Sequence, residues 1–179
     1  MLRDPLRIYL AGAIRDGCPD DITWRETVVD RLGNRAILLN PLAGKSYVPD
    51  AKRWHLYGRP VDARFVVAQD YWGVDRADLI VFNFLPLAAG YPSIGTLVEF
   101  GRASTRSVLR YVIVPSDYAG QKNEIFDRHP FLDELAAARF DTVASCIDFL
   151  DDHLDALSGA APRYRTDLAG GQWSRLPEL

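Results

Sequence analysis

Apolar residues cluster along the chain in short runs separated by longer stretches with helical spacing. Leu6 to Ala11, Ala36 to Leu39, Leu79 to Phe84 and Leu109 to Val114 read as strands, three of them almost continuously apolar. Such runs have no polar face to turn to water, so they point to a parallel sheet buried on both sides. Between the first two, Asp20 or Asp21 is placed to cap a helix on which Trp24, Val28 and Leu32 recur every fourth residue as one buried stripe, and Gly33-Asn34 ends it. Further helical patterns cover about Val61 to Ala77, Ile94 to Thr105, Glu124 to Ala138 and Ser145 to Leu157. Strands alternating with helices predict a doubly wound α/β layer of five parallel strands with helices on both faces. The expected domain is 1–157, followed by an extended arm, 158–179, that carries Gly159, Pro162, Tyr164, Gly170, Gly171, Trp173 and Pro177.

In sheets of this kind ligands sit beyond the carboxyl ends of the strands, where the strand order reverses. Two blocks fall at such ends. After the first strand, Gly12-Ala13-Ile14-Arg15-Asp16-Gly17 joins glycine to an arginine suited to an anion. After the third, Pro92-Ser93-Ile94-Gly95-Thr96-Leu97-Val98-Glu99 opens a helix on small residues. The Ser93 hydroxyl is expected to cap that helix, and the amides near Gly95 and Thr96 supply an anion site. Glu99 follows about one turn further in, and Asp70 lies on the otherwise apolar stretch from Val66 to Trp72. A carboxylate there is costly to bury unless it is partnered or protonated.

Composition narrows the field. With 179 residues, 48% of them hydrophobic, the chain can bury a proper core. A net charge of −3 argues against a nucleic-acid surface, although one local anion site suffices for a nucleotide. Cys18 and Cys146 are too few for a disulfide framework, and no apolar run suits a membrane span or a secretory leader. A cytoplasmic protein is the expectation. His55, His129 and His153 lack metal-ligand spacing, and no phosphate-loop, dinucleotide-binding glycine or paired Cys-x-x-Cys pattern occurs. Neither a cofactor nor a metal is therefore expected.

With Tyr9-Leu10-Ala11-Gly12, Ile14-Arg15, Asn40-Pro41, Gln69-Asp70, Ala77-Asp78-Leu79-Ile80-Val81 and Ser93 to Ala103 in this order, the chain resembles the nucleoside 2-deoxyribosyltransferase superfamily. Within it, the likeness is to the nucleoside 5'-monophosphate N-glycosidases. The resemblance spans about the first two-thirds of the chain. It implies a flavodoxin-like strand order, 2-1-3-4-5, and Glu99 as a nucleophile that forms a covalent glycosyl intermediate. It further implies that Asp70 contacts the base and assists its departure, and that Tyr9 hydrogen-bonds the nucleophile. Gly12, Ile14, Arg15, Ser93, Gly95 and Thr96 would bind substrate, with Asn123 lent to a neighbouring subunit's site in a homodimer or larger homo-oligomer. At the position of Ser93 the transferases acting on free nucleosides carry an aspartate, which would repel a 5'-phosphate, so serine favours a monophosphate.

The expected activity is hydrolysis of a nucleoside 5'-monophosphate to free base and sugar 5-phosphate. Base exchange by a deoxyribosyltransferase and a non-catalytic nucleotide-binding module are the alternatives. Two segments depart from the family pattern. These are Leu85 to Tyr91 and the insertion Pro41 to Arg59, whose Tyr47, Trp54 and Tyr57 either stack on a base or pack the insertion onto the core.

Overall fold

The computed structural model describes residues 5–15, 18–48, 53–91, 93–115, 117–118, 121–122, 130–158, 164–166 and 173–175. Five strands make the central sheet: β1 (Arg7–Gly12), β2 (Ile37–Leu39), β6 (Leu79–Asn83), β7 (Leu109–Ile113) and β10 (Ala138–Phe140). They lie in the order β10-β7-β6-β1-β2 with every neighbouring pair parallel. Counted along the chain this is the 2-1-3-4-5 order of a flavodoxin-like sheet, and the order reverses between β1 and β6.

The period-two alternation of side chains sorts the core into two layers. On one face Ile8 and Leu10 of β1 and Leu79 and Val81 of β6 meet α1 (Asp20–Leu32) and α6 (Val143–Ser158) through Trp24, Val28, Leu32, Ile147 and Leu150. On the other, Tyr9, Ala11, Ile80 and Phe82 meet α2 (Ala63–Arg76) and α4 (Ile94–Ser104), which follows the one-turn α3 (Leu85–Ala88), through Val74, Phe100 and Ala103. Tyr9 therefore faces α4, the helix that carries Glu99. Among the described residues no helix is long and apolar enough to cross a membrane.

Three local readings of the sequence need correction. Pro19, not an aspartate, occupies the cap position of α1, because both Asp20 and Asp21 are already helical and Asp21 turns its carboxylate to Arg15. The second helix starts at Ala63, two residues later than its apolar pattern, because the Asp62 side chain accepts a bond from the Arg64 amide and caps it there. Ala138 belongs to a strand and not to the end of a helix; that edge strand is three residues long with Arg139 at its centre, too short to declare a period. The fourth helix is described only over α5 (Pro130–Leu135), the segment 123–129 lying outside the described residues. Two short antiparallel pairs lie outside the main sheet: β8 (Asp117–Tyr118) with β9 (Gln121–Lys122), and β11 (Tyr164–Thr166) with β12 (Trp173–Arg175).

The insertion forms an antiparallel three-stranded sheet of β3 (Lys45–Val48), β4 (Arg53–Leu56) and β5 (Arg59–Val61). Its corner is built on Gly44, which has a positive φ of 70° and lies under the Tyr57 ring. A Cβ there would sit 2.5 Å from that ring, so only glycine lets the turn close. The Tyr57 amide donates to the Gly44 carbonyl at 2.7 Å and locks the corner. Lys45 is thereby fixed at the first position of β3.

Candidate active site

A cleft of about 350 Å³ opens at the carboxyl ends of β1 and β6, the switch point of the sheet. Its walls come from the loop after β1 (Gly12, Ala13, Ile14), the insertion (Pro41, Lys45, Trp54), α2 (Val66, Asp70) and the start of α4 (Ser93 to Thr96, with Glu99 below). Seven of the residues singled out from sequence thus meet in one place: Gly12, Ile14, Asp70, Ser93, Gly95, Thr96 and Glu99.

Glu99 is 9% exposed at the floor of this cleft. Behind it the Tyr9 hydroxyl donates a 2.6 Å hydrogen bond to Glu99 Oε1. Burial, with the nearby Asp70 adding to it, pushes the Glu99 carboxyl up to about 7, while the Tyr9 bond and the charges of Arg25 and Lys45 pull it back. Burial and the neighbouring carboxylates push the Tyr9 hydroxyl well above its ordinary range, so it remains a donor. This pair depends on a close approach of α2 to β1: a Cβ on Gly73 would fall 2.5 Å from the Tyr9 ring. Gly73→Ala must therefore displace the ring and loosen the bond to Glu99. We expect a loss of about 1–3 kcal/mol in thermal or denaturant unfolding and a fall in turnover larger than the unfolded fraction explains.

Asp70 is partly buried, which raises its pKa, and Lys45 opposes the shift. The Lys45 ammonium donates to Asp70 Oδ1 at 2.5 Å, and the lysine side chain is only 1% exposed. Little in the sequence singles out Lys45, because a lysine in a Gly-Lys-Ser turn is ordinarily solvated. The signal available was its place inside an insertion that flanks the pocket. Trp54, which the sequence left between two roles, lines the cleft and also tilts against Tyr47 with centroids 5.3 Å apart.

Ser93 occupies the cap position of α4 but does not cap it. Its side chain makes no capping bond, and Oγ is buried without a protein partner in a residue 3% exposed. A buried hydroxyl left unbonded is costly, so one at the mouth of a helix and in a cleft wall is suited to a ligand oxygen. Gly95 next to it has nothing within 4 Å of an added Cβ, leaving the backbone open to the cleft, and Thr96 is buried beside it.

Arg15 does not line this cleft. Its Nε and Nη2 pair with the two Asp21 oxygens at 2.8 Å each, and its backbone amide donates to the same carboxylate. The guanidinium stands 5.1 Å from the centre of the Tyr91 ring, and Tyr91 itself forms part of the cleft wall. Asp21 thus takes up the charge that the sequence reading offered to a phosphate, and Arg15 braces the wall from behind. Asn123 lies outside the described residues.

Gly12 lines the cleft and is also closely packed. A Cβ there would meet Trp24, Arg25 and Asn83 at 3.1–3.3 Å. Arg25 was invisible to the pattern because it occupies α1 between apolar stripe positions. It is fully buried and donates to the carbonyls of Leu10, Gly12, Ala13 and Asp21, with its guanidinium 4.7 Å from the Trp24 ring centre. Those bonds fix the course of the loop after β1, which forms one rim of the cleft.

No protein-family model and no curated protein matches the sequence. Solved structures do match it. A conserved protein from Enterococcus faecalis V583 aligns at 12% identity with a TM-score of 0.54, covering 83% of this chain and 99% of that one. A CMP N-glycosidase from Clostridium botulinum aligns at 17% identity with a TM-score of 0.48, covering 81% and 98%. A 2-desoxiribosyltransferase from Leishmania mexicana aligns at 17% identity with a TM-score of 0.55, covering 83% and 99%. The chain thus has the doubly wound, flavodoxin-like fold of the Leishmania mexicana 2-desoxiribosyltransferase, with its candidate site at the switch point of the sheet.

Proposed function

We propose that the chain hydrolyses the N-glycosidic bond of a nucleoside 5'-monophosphate, releasing the base and a sugar 5-phosphate. The observation that carries this reading is the Tyr9–Glu99 pair at the floor of a cleft that also holds Asp70 and the unbonded Ser93 hydroxyl. Ionised Glu99 attacks the anomeric carbon as the bond to the base breaks and its electron pair leaves with the base. Tyr9 holds the carboxylate in the attacking rotamer. Asp70 lies on the side of the departing base, and water then resolves the glycosyl ester, giving net retention at that carbon. The 5'-phosphate sits on Ser93 Oγ and the first amides of α4, with no aspartate at that turn to repel it. Trp54 covers the base.

A second reading, transfer of the deoxyribosyl group to another base, has support in the fold shared with a 2-desoxiribosyltransferase. It has further support in the pairing of Arg15 with Asp21, which leaves the phosphate position without that cation. Incubating the protein and a substrate with a large excess of a second base separates the two. Hydrolysis leaves the second base unchanged, whereas transfer accumulates its glycoside.

We further propose that the protein assembles into a homodimer or larger homo-oligomer in a reducing cytoplasm, where Cys18 and Cys146 remain thiols. Ile94, Leu97 and Val98 are exposed apolar residues on α4, Phe65 and Trp72 are exposed on the adjoining α2, and Ile94 also lines the cleft. Sedimentation at micromolar concentration should show an oligomer that Leu97→Glu converts to monomer. A wild-type monomer would contradict this assembly.

A further inference from the structure

Lys45 has a part in this chemistry that its sequence position does not announce. It enters the cleft from the inserted β3–β5 sheet, and it is the one cation among the described residues lining the cleft. Its ammonium spends one N–H on Asp70 Oδ1 at 2.5 Å, and its side chain is 1% exposed, so its other two N–H groups have little water to turn to. Trp54 from the neighbouring strand lines the same wall, and Glu99 lies in the floor. A base covered by Trp54 with its sugar over Glu99 would bring its ring edge to Lys45 and Asp70.

From this arrangement we propose that the Lys45 ammonium, aimed by Asp70, is the group that stabilises and protonates the departing base. The inference rests on the N-glycosidase reading and deepens it. In this step Glu99 forms a bond to the anomeric carbon, the bond from that carbon to the base nitrogen breaks, and its electron pair moves into the base ring. Lys45 donates a hydrogen bond, then a proton, to an acceptor atom of the base, which departs neutral. When water attacks the glycosyl ester its oxygen goes to the anomeric carbon and Glu99 leaves as carboxylate. The proton released by the water restores the ammonium, so the cycle consumes one water and closes. Asp70 is then a positioning residue for Lys45: its Oδ1 already accepts an N–H from the ammonium that it orients.

The test uses the base released most readily by the wild-type protein, then a series of 5'-monophosphates of that base bearing electron-withdrawing substituents. A base that leaves easily needs little help, so the requirement for Lys45 should shrink along the series. Lys45→Met is expected to slow release of the unsubstituted base by about 10²–10³-fold and the most electron-poor base by less than about tenfold, giving a steep dependence on leaving ability where the wild type has a shallow one. Lys45→Arg, which keeps an N–H donor, should restore part of the lost rate on the unsubstituted base. Because the result is a ratio of rates within one preparation, it does not depend on how much of the variant is folded, and Lys45→Gln carries the same comparison where Lys45→Met does not fold. An equal loss across the series, or no loss at all, overturns the proposal. Failure of the wild-type protein to release any base is a different result, which overturns the N-glycosidase reading itself.

Discussion

Glu99→Gln is expected to reduce base release by at least about 10⁴-fold, the scale on which removal of a nucleophile acts, while making the folded protein more stable above pH 7. The two effects have one origin. Glu99 is held in a buried floor where its carboxyl is pushed up to about 7 from an ordinary 4.5. In the unfolded chain it ionises at the lower value, so between the two the unfolded state holds fewer protons and stability declines as pH rises. Above pH 7 the buried charge costs on the order of 3 kcal/mol. An amide removes that cost and still offers an oxygen to the Tyr9 hydroxyl 2.6 Å away. Denaturant unfolding of both proteins at pH 5 and pH 8 should show a gap that widens with pH. A variant that is inactive and also less stable at pH 8 would mean that Glu99 is there for structure.

Activity itself should rise with pH through an acid limb near 7. A nucleophile must be ionised, and below that pH Glu99 carries a proton in the free protein. The Tyr9 bond lowers the Glu99 pKa against burial, so Tyr9→Phe is expected to move the acid limb of kcat/KM upward by about one unit. It should also reduce the plateau, because the carboxylate loses the partner that fixes its rotamer. A profile with no limb between pH 6 and 8, or a Tyr9→Phe limb at lower pH, would contradict the pairing as drawn. The shift separates an electrostatic role from simple packing, because a smaller ring that merely loosened the core would lower the rate at every pH alike.

Much of this arrangement was legible in the sequence because it follows from local rules. Short, nearly continuous apolar runs such as Leu79 to Phe84 suit strands buried on both faces, and their alternation with helices favours parallel pairing. Glu99 stands out as the one acid of a helix that opens on Ser-Ile-Gly-Thr at a strand end, but its role as nucleophile comes only from the family resemblance. What escaped notice depends on backbone geometry and side-chain contacts that no local pattern declares. That Asp21 claims Arg15, six residues before it, is declared by no sequence pattern. That Ser93 Oγ makes no capping bond goes with a backbone ψ of 64°, away from the extended conformation usual at a cap. Lys45 reaches the cleft only because Gly44 and Tyr57 close the corner of a small sheet in an insertion, and Arg25 is buried only because four carbonyls converge on it.

The most direct measurement is free-base release, followed by chromatography, from a panel of ribo- and deoxyribonucleoside 5'-monophosphates beside the matching nucleosides, with the wild-type protein and Glu99→Ala in parallel. Release is expected from at least one monophosphate, weaker or absent from its nucleoside, and none from the variant. Release from nucleosides alone would remove the phosphate role of Ser93 and favour transfer. Release that survives Glu99→Ala, or no release from any member of the panel, would contradict the assignment of this cleft as an N-glycosidase site.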